Sequence, residues 1–119
     1  MNRGTLRLEE YLKHVLKAID RIQTYCGDMS EVSFISSQIT QDAVIRNFEI
    51  IGEASKNIER VATPEFLALN SDLPLSFAYD MRNLLAHGYY KVDLEVVWKT
   101  IEADVPNLKV LVEKAIEGL

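Results

Sequence analysis

The sequence predicts an all-α fold, a small up-and-down bundle of about four to six helices. Two observations carry this. Apolar residues recur at steps of three and four along most of the chain, the period of a helix buried on one side, and no segment sustains the period-two alternation of a half-buried strand. Small polar residues, Pro and Gly also stand where helices of that period would begin and end.

The first helix is expected over about Thr5–Cys26, with Leu8, Leu12, Val15, Ile19, Ile22 and Cys26 on its buried side and Gly27-Asp28 as its stop. A short segment follows over Ser30–Ile35, with Ser30 as a possible cap and Glu31 as an early acid. A long helix is expected over about Ser37–Val61. It carries two apolar rows, Ile39, Ala43, Ile50, Ala54, Ile58 and Val61 in one and Val44, Phe48 and Ile51 in the other, as for a central helix contacted from two sides. Thr63-Pro64 reads as an N-cap with proline at the first helical position, opening a short helix over Pro64–Leu69. Another helix is expected over Ser76–His87, closed by Gly88. Asp93 is a good N-cap for a last helical stretch toward Glu117, which Pro106 should kink or split near Asp104.

Composition bounds the possible roles. The 119 residues are 48% hydrophobic and 26% charged, with 5 Gly and 3 Pro, an ordinary globular balance that excludes collagen-like, low-complexity and disordered chains. There is no linker or repeat, so residues 1–119 are expected to form one domain. The net charge is -5 and the pI about 5.0, which argues against holding nucleic acid by bulk charge. The single cysteine, Cys26, excludes an internal disulfide framework. The charged N-terminus lacks the apolar core of a signal peptide, and no run approaches the roughly 18 apolar residues of a membrane span. A cytoplasmic protein with no membrane partner is the expectation.

Several chemistries lack their residues. There is no Cys-x-x-Cys, no His-Glu-x-x-His, no phosphate loop and no Gly-x-Gly-x-x-Gly. With His14 and His87 as the two histidines, no metal or other cofactor is expected. Cys26 reads as a small buried hydrophobe and His14 as a surface or partly packed side chain. Asp42, Arg46, Glu49, Glu53, Lys56 and Arg60 follow one another at steps of four and three, which puts all six on one helix face. That row is either a solvated face with pairs such as Asp42/Arg46, or part of it, Arg46 and Glu53 above all, lines a cleft or supports one from behind.

The sharpest local feature is the run Met81 to Tyr90. Arg82 and His87 are five apart, about 140° around an ideal helix, and share a direction only where the helix ends, as Gly88 implies. His87 then sits in the last turn, where the helix dipole favours the imidazolium. Arginine grips phosphate oxygens with a planar fork, and histidine moves protons near neutral pH. Asn83 can orient the pair, and Tyr89 falls just beyond the glycine. An Arg-x4-His pair arises by chance in about one such chain in ten, but the triple with tyrosine two residues on in only about four in a thousand.

With these residues the chain resembles the HepT-like toxins of the HEPN superfamily, whose motif R-x4-H-x-Y is matched by Arg82, His87 and Tyr89. Asn83 matches the polar residue that often follows the arginine. Ala43 to Ala54 resembles the family's long-helix signature, and Val92 to Trp98 the segment after the motif; Phe77 stands where many relatives have tryptophan. The resemblance implies an all-α bundle, a homodimer and metal-independent cleavage of RNA by the toxin of a type II toxin–antitoxin system. It also implies a partner antitoxin, a minimal nucleotidyltransferase of the MntA type that transfers AMP to Tyr89.

The chemistry agrees. Metal-free RNA cleavage needs a base for the 2′-hydroxyl, a cation for the phosphorane and an acid for the leaving oxygen. One chain supplies one suitable histidine, and two chains across a two-fold axis supply two. Arg82 is then the phosphate ligand, His87 the proton-transfer group and Asn83 the orienting residue. The alternative is a non-catalytic module that binds a nucleotide or substrate for a nucleotidyltransferase, and a third reading is a helical dimer serving only as an interaction protein.

Overall fold

A computed structural model gives the structure of the chain and describes residues 3–76 and 93–119. Among these the fold is all-α. Helix α1 (Arg3–Cys26) and helix α3 (Gln38–Val61) are its two long elements and pack against each other. They run antiparallel, since Gly4, Thr5 and Leu8 at the start of α1 share a surface hollow with Val61 at the end of α3. Leu8, Leu12, Val15, Ala18, Ile19, Ile22 and Cys26 are the buried stripe of α1, as the helical period requires.

The connection between them contains a short helix, α2 (Glu31–Ile35), whose start is fixed by reciprocal hydrogen bonds. The Ser33 backbone N–H donates to the Ser30 hydroxyl at 3.2 Å, and the Ser30 N–H donates to the Ser33 hydroxyl at 2.9 Å. Ser37 caps α3 by accepting from the Thr40 N–H. Helix α4 (Pro64–Leu69) begins as expected, with Thr63 accepting from the Phe66 N–H at 3.1 Å and proline in the first turn. The helix expected over 76–87 lies, beyond its first residue, outside the described residues.

The last stretch comprises helix α5 (Leu94–Lys99), a π-helical segment (Thr100–Asp104) and helix α6 (Val105–Glu117). Asp93 caps α5 by accepting from the Glu95 and Val96 N–H groups. The interruption that Pro106 predicts near Asp104 takes the form of a widened turn, in which the Val105 N–H donates to the Thr100 carbonyl, five residues back. Proline has no N–H to give and its ring crowds the carbonyl four residues earlier, so the helix passes it by loosening its bonding rather than by breaking. Helix α6 packs on α1, antiparallel to it: Lys109 meets Asp20 at 3.4 Å, and Leu119 reaches the start of α1.

Two details depart from the periodic reading. Ile39, placed in an apolar row, is 84% exposed, while the polar Gln41, Asn47 and Ser55 are buried on α3. Gln41 explains itself: its amide donates to the Phe34 and Ile35 carbonyls at 3.0 and 2.8 Å, satisfying the open end of α2. Gly27 follows the last residue of α1, as its role as the stop requires, without a positive φ; its need is space, because a Cβ there would lie 2.8 Å from the Gln23 carbonyl oxygen.

Cys26 is buried, as expected, and burial pushes its thiol above the ordinary value. The folded chain therefore holds this proton more tightly than the unfolded one. The stability it contributes is complete below the ordinary thiol range and is lost as pH rises through it toward the folded value. Disulfide-exchange labelling of Cys26 at pH 8 should run at least about tenfold slower in the native protein than in denaturant. Equal rates would mean that the thiol is open to solvent.

Candidate functional site

The antiparallel seam of α1 and α3 opens midway into a cleft of about 440 Å³. One wall is His14 of α1. The other is a single face of α3, on which Arg46, Glu49, Glu53 and Asn57 follow one another at steps of three and four. Ile50 and Ala54 form an apolar floor between these polar groups.

Arg46, with 71% of its side chain exposed, pairs with Glu49 at 3.6 Å. The Asp42/Arg46 pair considered from spacing is replaced by this one; Asp42 instead accepts from the Gln38 amide at 2.8 Å. Both distances are those of exposed groups on one helix face, where such pairs contribute only a few tenths of a kcal/mol, about 0.2–0.5. The pairs therefore fix orientation more than stability. His14 is exposed, and its ring stands edge-on to Tyr11 one turn earlier, with centroids 6.1 Å apart at 73°. On the buried side of α3, Asn47 donates to the Ala43 carbonyl at 2.8 Å, and its side-chain oxygen has no partner among the described residues.

Of the residues singled out from the sequence, Arg46 and Glu53 are brought together in this cleft. Arg82, Asn83, His87 and Tyr89 lie outside the described residues. His14, read as a surface or partly packed side chain and indeed exposed, was not placed in a cleft, and Asn57 is a cleft residue that sequence reading passed over. Asn57 was within reach of it, four residues after Glu53 on the same face. His14 was not, since nothing in a sequence says which turn of α1 faces which turn of α3.

The helical bundle and its polar seam define a small all-α protein of the kind built on one long antiparallel helix pair. Comparison with known proteins narrows this. Residues 15–115 match the family model described as Ribonuclease HepT-like, and the chain belongs to that family, within the HEPN superfamily. It is 40% identical over 106 residues to a Thermococcus cleftensis protein named as a probable ribonuclease HepT, covering 89% of this chain and 93% of that one. It is 39% identical over 109 residues to a Methanocaldococcus jannaschii protein named as a gamma-glutamylcyclotransferase and candidate RNase. That match covers 92% of this chain but 47% of the relative, so the chain spans about half of that protein's length. A Caldanaerobacter subterraneus protein named as a candidate RNase is 30% identical over 107 residues, covering 90% and 92% of the two chains. No solved structure matches the chain. No helix among the described residues is long and apolar enough to cross a membrane.

Proposed function

We propose that this chain is a metal-independent endoribonuclease, the toxin of a type II toxin–antitoxin system, folded as one domain and working in the cytoplasm as a homodimer. The observation that carries the reading is the presence of Arg82, His87 and Tyr89 at the R-x4-H-x-Y spacing in a member of the HepT-like ribonuclease family. Arg82 holds the scissile phosphate as a charged, planar donor. His87 transfers protons, with Asn83 orienting the pair, and the partner protomer's copy supplies the second proton-transfer group.

A minimal nucleotidyltransferase partner silences the enzyme by attaching AMP to Tyr89. The phosphodiester forms between the tyrosine oxygen and the α-phosphorus of ATP, pyrophosphate leaves, and the phenolic proton is released. Each AMP adds a negative charge that competes for Arg82 and repels incoming RNA phosphates.

The test uses purified protein and RNA in EDTA. Cleavage that persists there, and an intact mass that rises by multiples of AMP on co-expression with the nucleotidyltransferase but not in Tyr89→Phe, is the expected result. Activity lost in EDTA and restored by a divalent ion overturns the metal-free mechanism. An unchanged mass with activity suppressed means inhibition by binding alone.

A further inference from the structure

We propose that the exposed basic row of helix α1 is a track for the phosphodiester backbone of single-stranded RNA. The inference rests on the ribonuclease reading above and adds to it a surface that holds the substrate strand away from the R-x4-H-x-Y residues in sequence.

The row follows from helical spacing. Arg3, Arg7, Glu10, His14, Lys17 and Arg21 succeed one another at steps of four, three, four, three and four, which keeps all six on one side of α1. All six are exposed. The buried stripe from Leu8 to Cys26 takes another side of the helix, so the row faces outward. From Arg3 to Arg21 the axis runs about 27 Å, enough to track several phosphates of one strand.

The row does not serve the stability of its own helix. Arg3 and Arg7, Lys13 and Lys17, and Lys17 and Arg21 are like charges four residues apart, an arrangement that destabilises a helix. Arg3 stands in the first turn, where the helix dipole disfavours a cation and no acid offsets it. Lys13 pairs with Glu9 at 2.9 Å, whereas Arg3, Arg7, Lys17 and Arg21 form no ion pair with a described residue.

Charge and its range name the occupant. The chain as a whole stands at -5, yet α1 holds five of its 13 Lys and Arg and three of its 18 Asp and Glu. Of those three acids only Glu10 lies in the row; Glu9 is paired with Lys13 and Asp20 with Lys109. The α3 carboxylates that share a cleft with His14, Glu49 and Glu53, are both engaged, Glu49 by Arg46 at 3.6 Å. Salt screens exposed charges beyond about 8 Å, so a strand lying on α1 meets the row rather than the acidic remainder of the chain. A regular row of cations matches a polyanion of regular charge. Tyr25, 43% exposed, extends the row by one more step of four and offers a face on which a base can stack. A second copy of the chain is a poor occupant, because a two-fold axis through the row would set cations against cations.

The experiment measures binding of the full chain to 2′-O-methyl single strands of mixed sequence, long enough to span α1, as salt is raised. Methylation removes the attacking hydroxyl, so binding is read without cleavage. In Arg7→Gln/Lys17→Gln the slope of log K against log salt should shrink by about 1.4, and affinity at about 50 mM salt should drop roughly tenfold to hundredfold. Lys99→Gln/Lys114→Gln removes the same charge from exposed positions on α5 and α6 and should leave the slope within about 0.5 of the unaltered chain. Equal losses in the two double variants mean attraction by bulk charge and overturn the row. On the unaltered chain, bound RNA should shield Lys17 from acetylation and leave Lys99 and Lys114 reactive, a readout that needs no variant to fold. Lys17 that stays reactive in a saturated complex overturns the row, while cleavage of unmethylated RNA by the same protein keeps the ribonuclease reading. A chain that binds anionic vesicles but no RNA also overturns the row as an RNA track. A chain that neither binds nor cleaves RNA overturns the ribonuclease reading, and the row falls with it.

Discussion

His87→Ala should lower RNA cleavage by about 10²–10⁴-fold while the protein stays folded. In the proposed mechanism the imidazole is the proton-transfer group, and neither an amide nor a phenol can replace it near pH 7, so the expected rate loss is large. In a homodimer the substitution removes both copies at once, so acid and base are lost together. The expected stability cost is small, since the sequence reading expects His87 at a helix end, where a charge–dipole contribution amounts to about 1 kcal/mol or less. The measurement pairs initial cleavage rates with a thermal melt of the same preparation. Arg82→Ala should lower the rate too, but Arg82→Lys should recover part of it, since a lysine keeps the charge and loses the fork. A folded His87→Ala protein with full activity would remove His87 from the mechanism.

How much of this molecule was legible beforehand depends on the range of the forces involved. Helix starts are set within four residues, and Ser30, Thr63 and Asp93 cap the helices that their positions implied. The stripe of α1 was equally legible, since one helix buried on one side leaves one period. Helix α3 was harder, because a helix contacted from two sides blurs its period. Ile39 belongs by spacing to an apolar row, yet it sits in the first turn of α3 and is exposed. Gln41 looks like a surface residue until α2 is seen to end beside it with two carbonyls to satisfy. The Arg46–Glu53 face could be read as a row that either meets solvent or lines a cleft, but not which of the two, because the cleft exists only when α1 sets His14 opposite it. The R-x4-H-x-Y run is a local pattern in residues outside those described, so its reading rests on sequence and family.

Phe34→Ala should destabilise the chain by about 3–5 kcal/mol, a large share of the roughly 5–15 kcal/mol that holds a domain of this size. Helix α2 is five residues long, too short to persist through its own hydrogen bonds. Its capping box fixes the start and Gln41 secures the end, but neither attaches it to the bundle by apolar burial. Phe34 does: it is the buried residue of α2, fully enclosed, with its ring 5.4 Å from that of Trp98 on α5 at a tilt of 34°. Truncation leaves a cavity between α2 and α5 and strips Trp98 of a contact worth about 0.5–1.5 kcal/mol beyond area alone. The melting temperature should fall by roughly 10–20 °C. Phe34→Leu, which refills most of the volume, should lose far less, and Val32→Ala on the exposed side of the same helix should stay within about 0.5 kcal/mol of the unaltered chain. The ordering of the three variants is the sharper result, because a general softening of α2 would lower all of them alike. If Phe34→Ala melts within a few degrees of the unaltered protein, α2 is held by its polar ends, and Gln41→Ala would then be the variant that releases it.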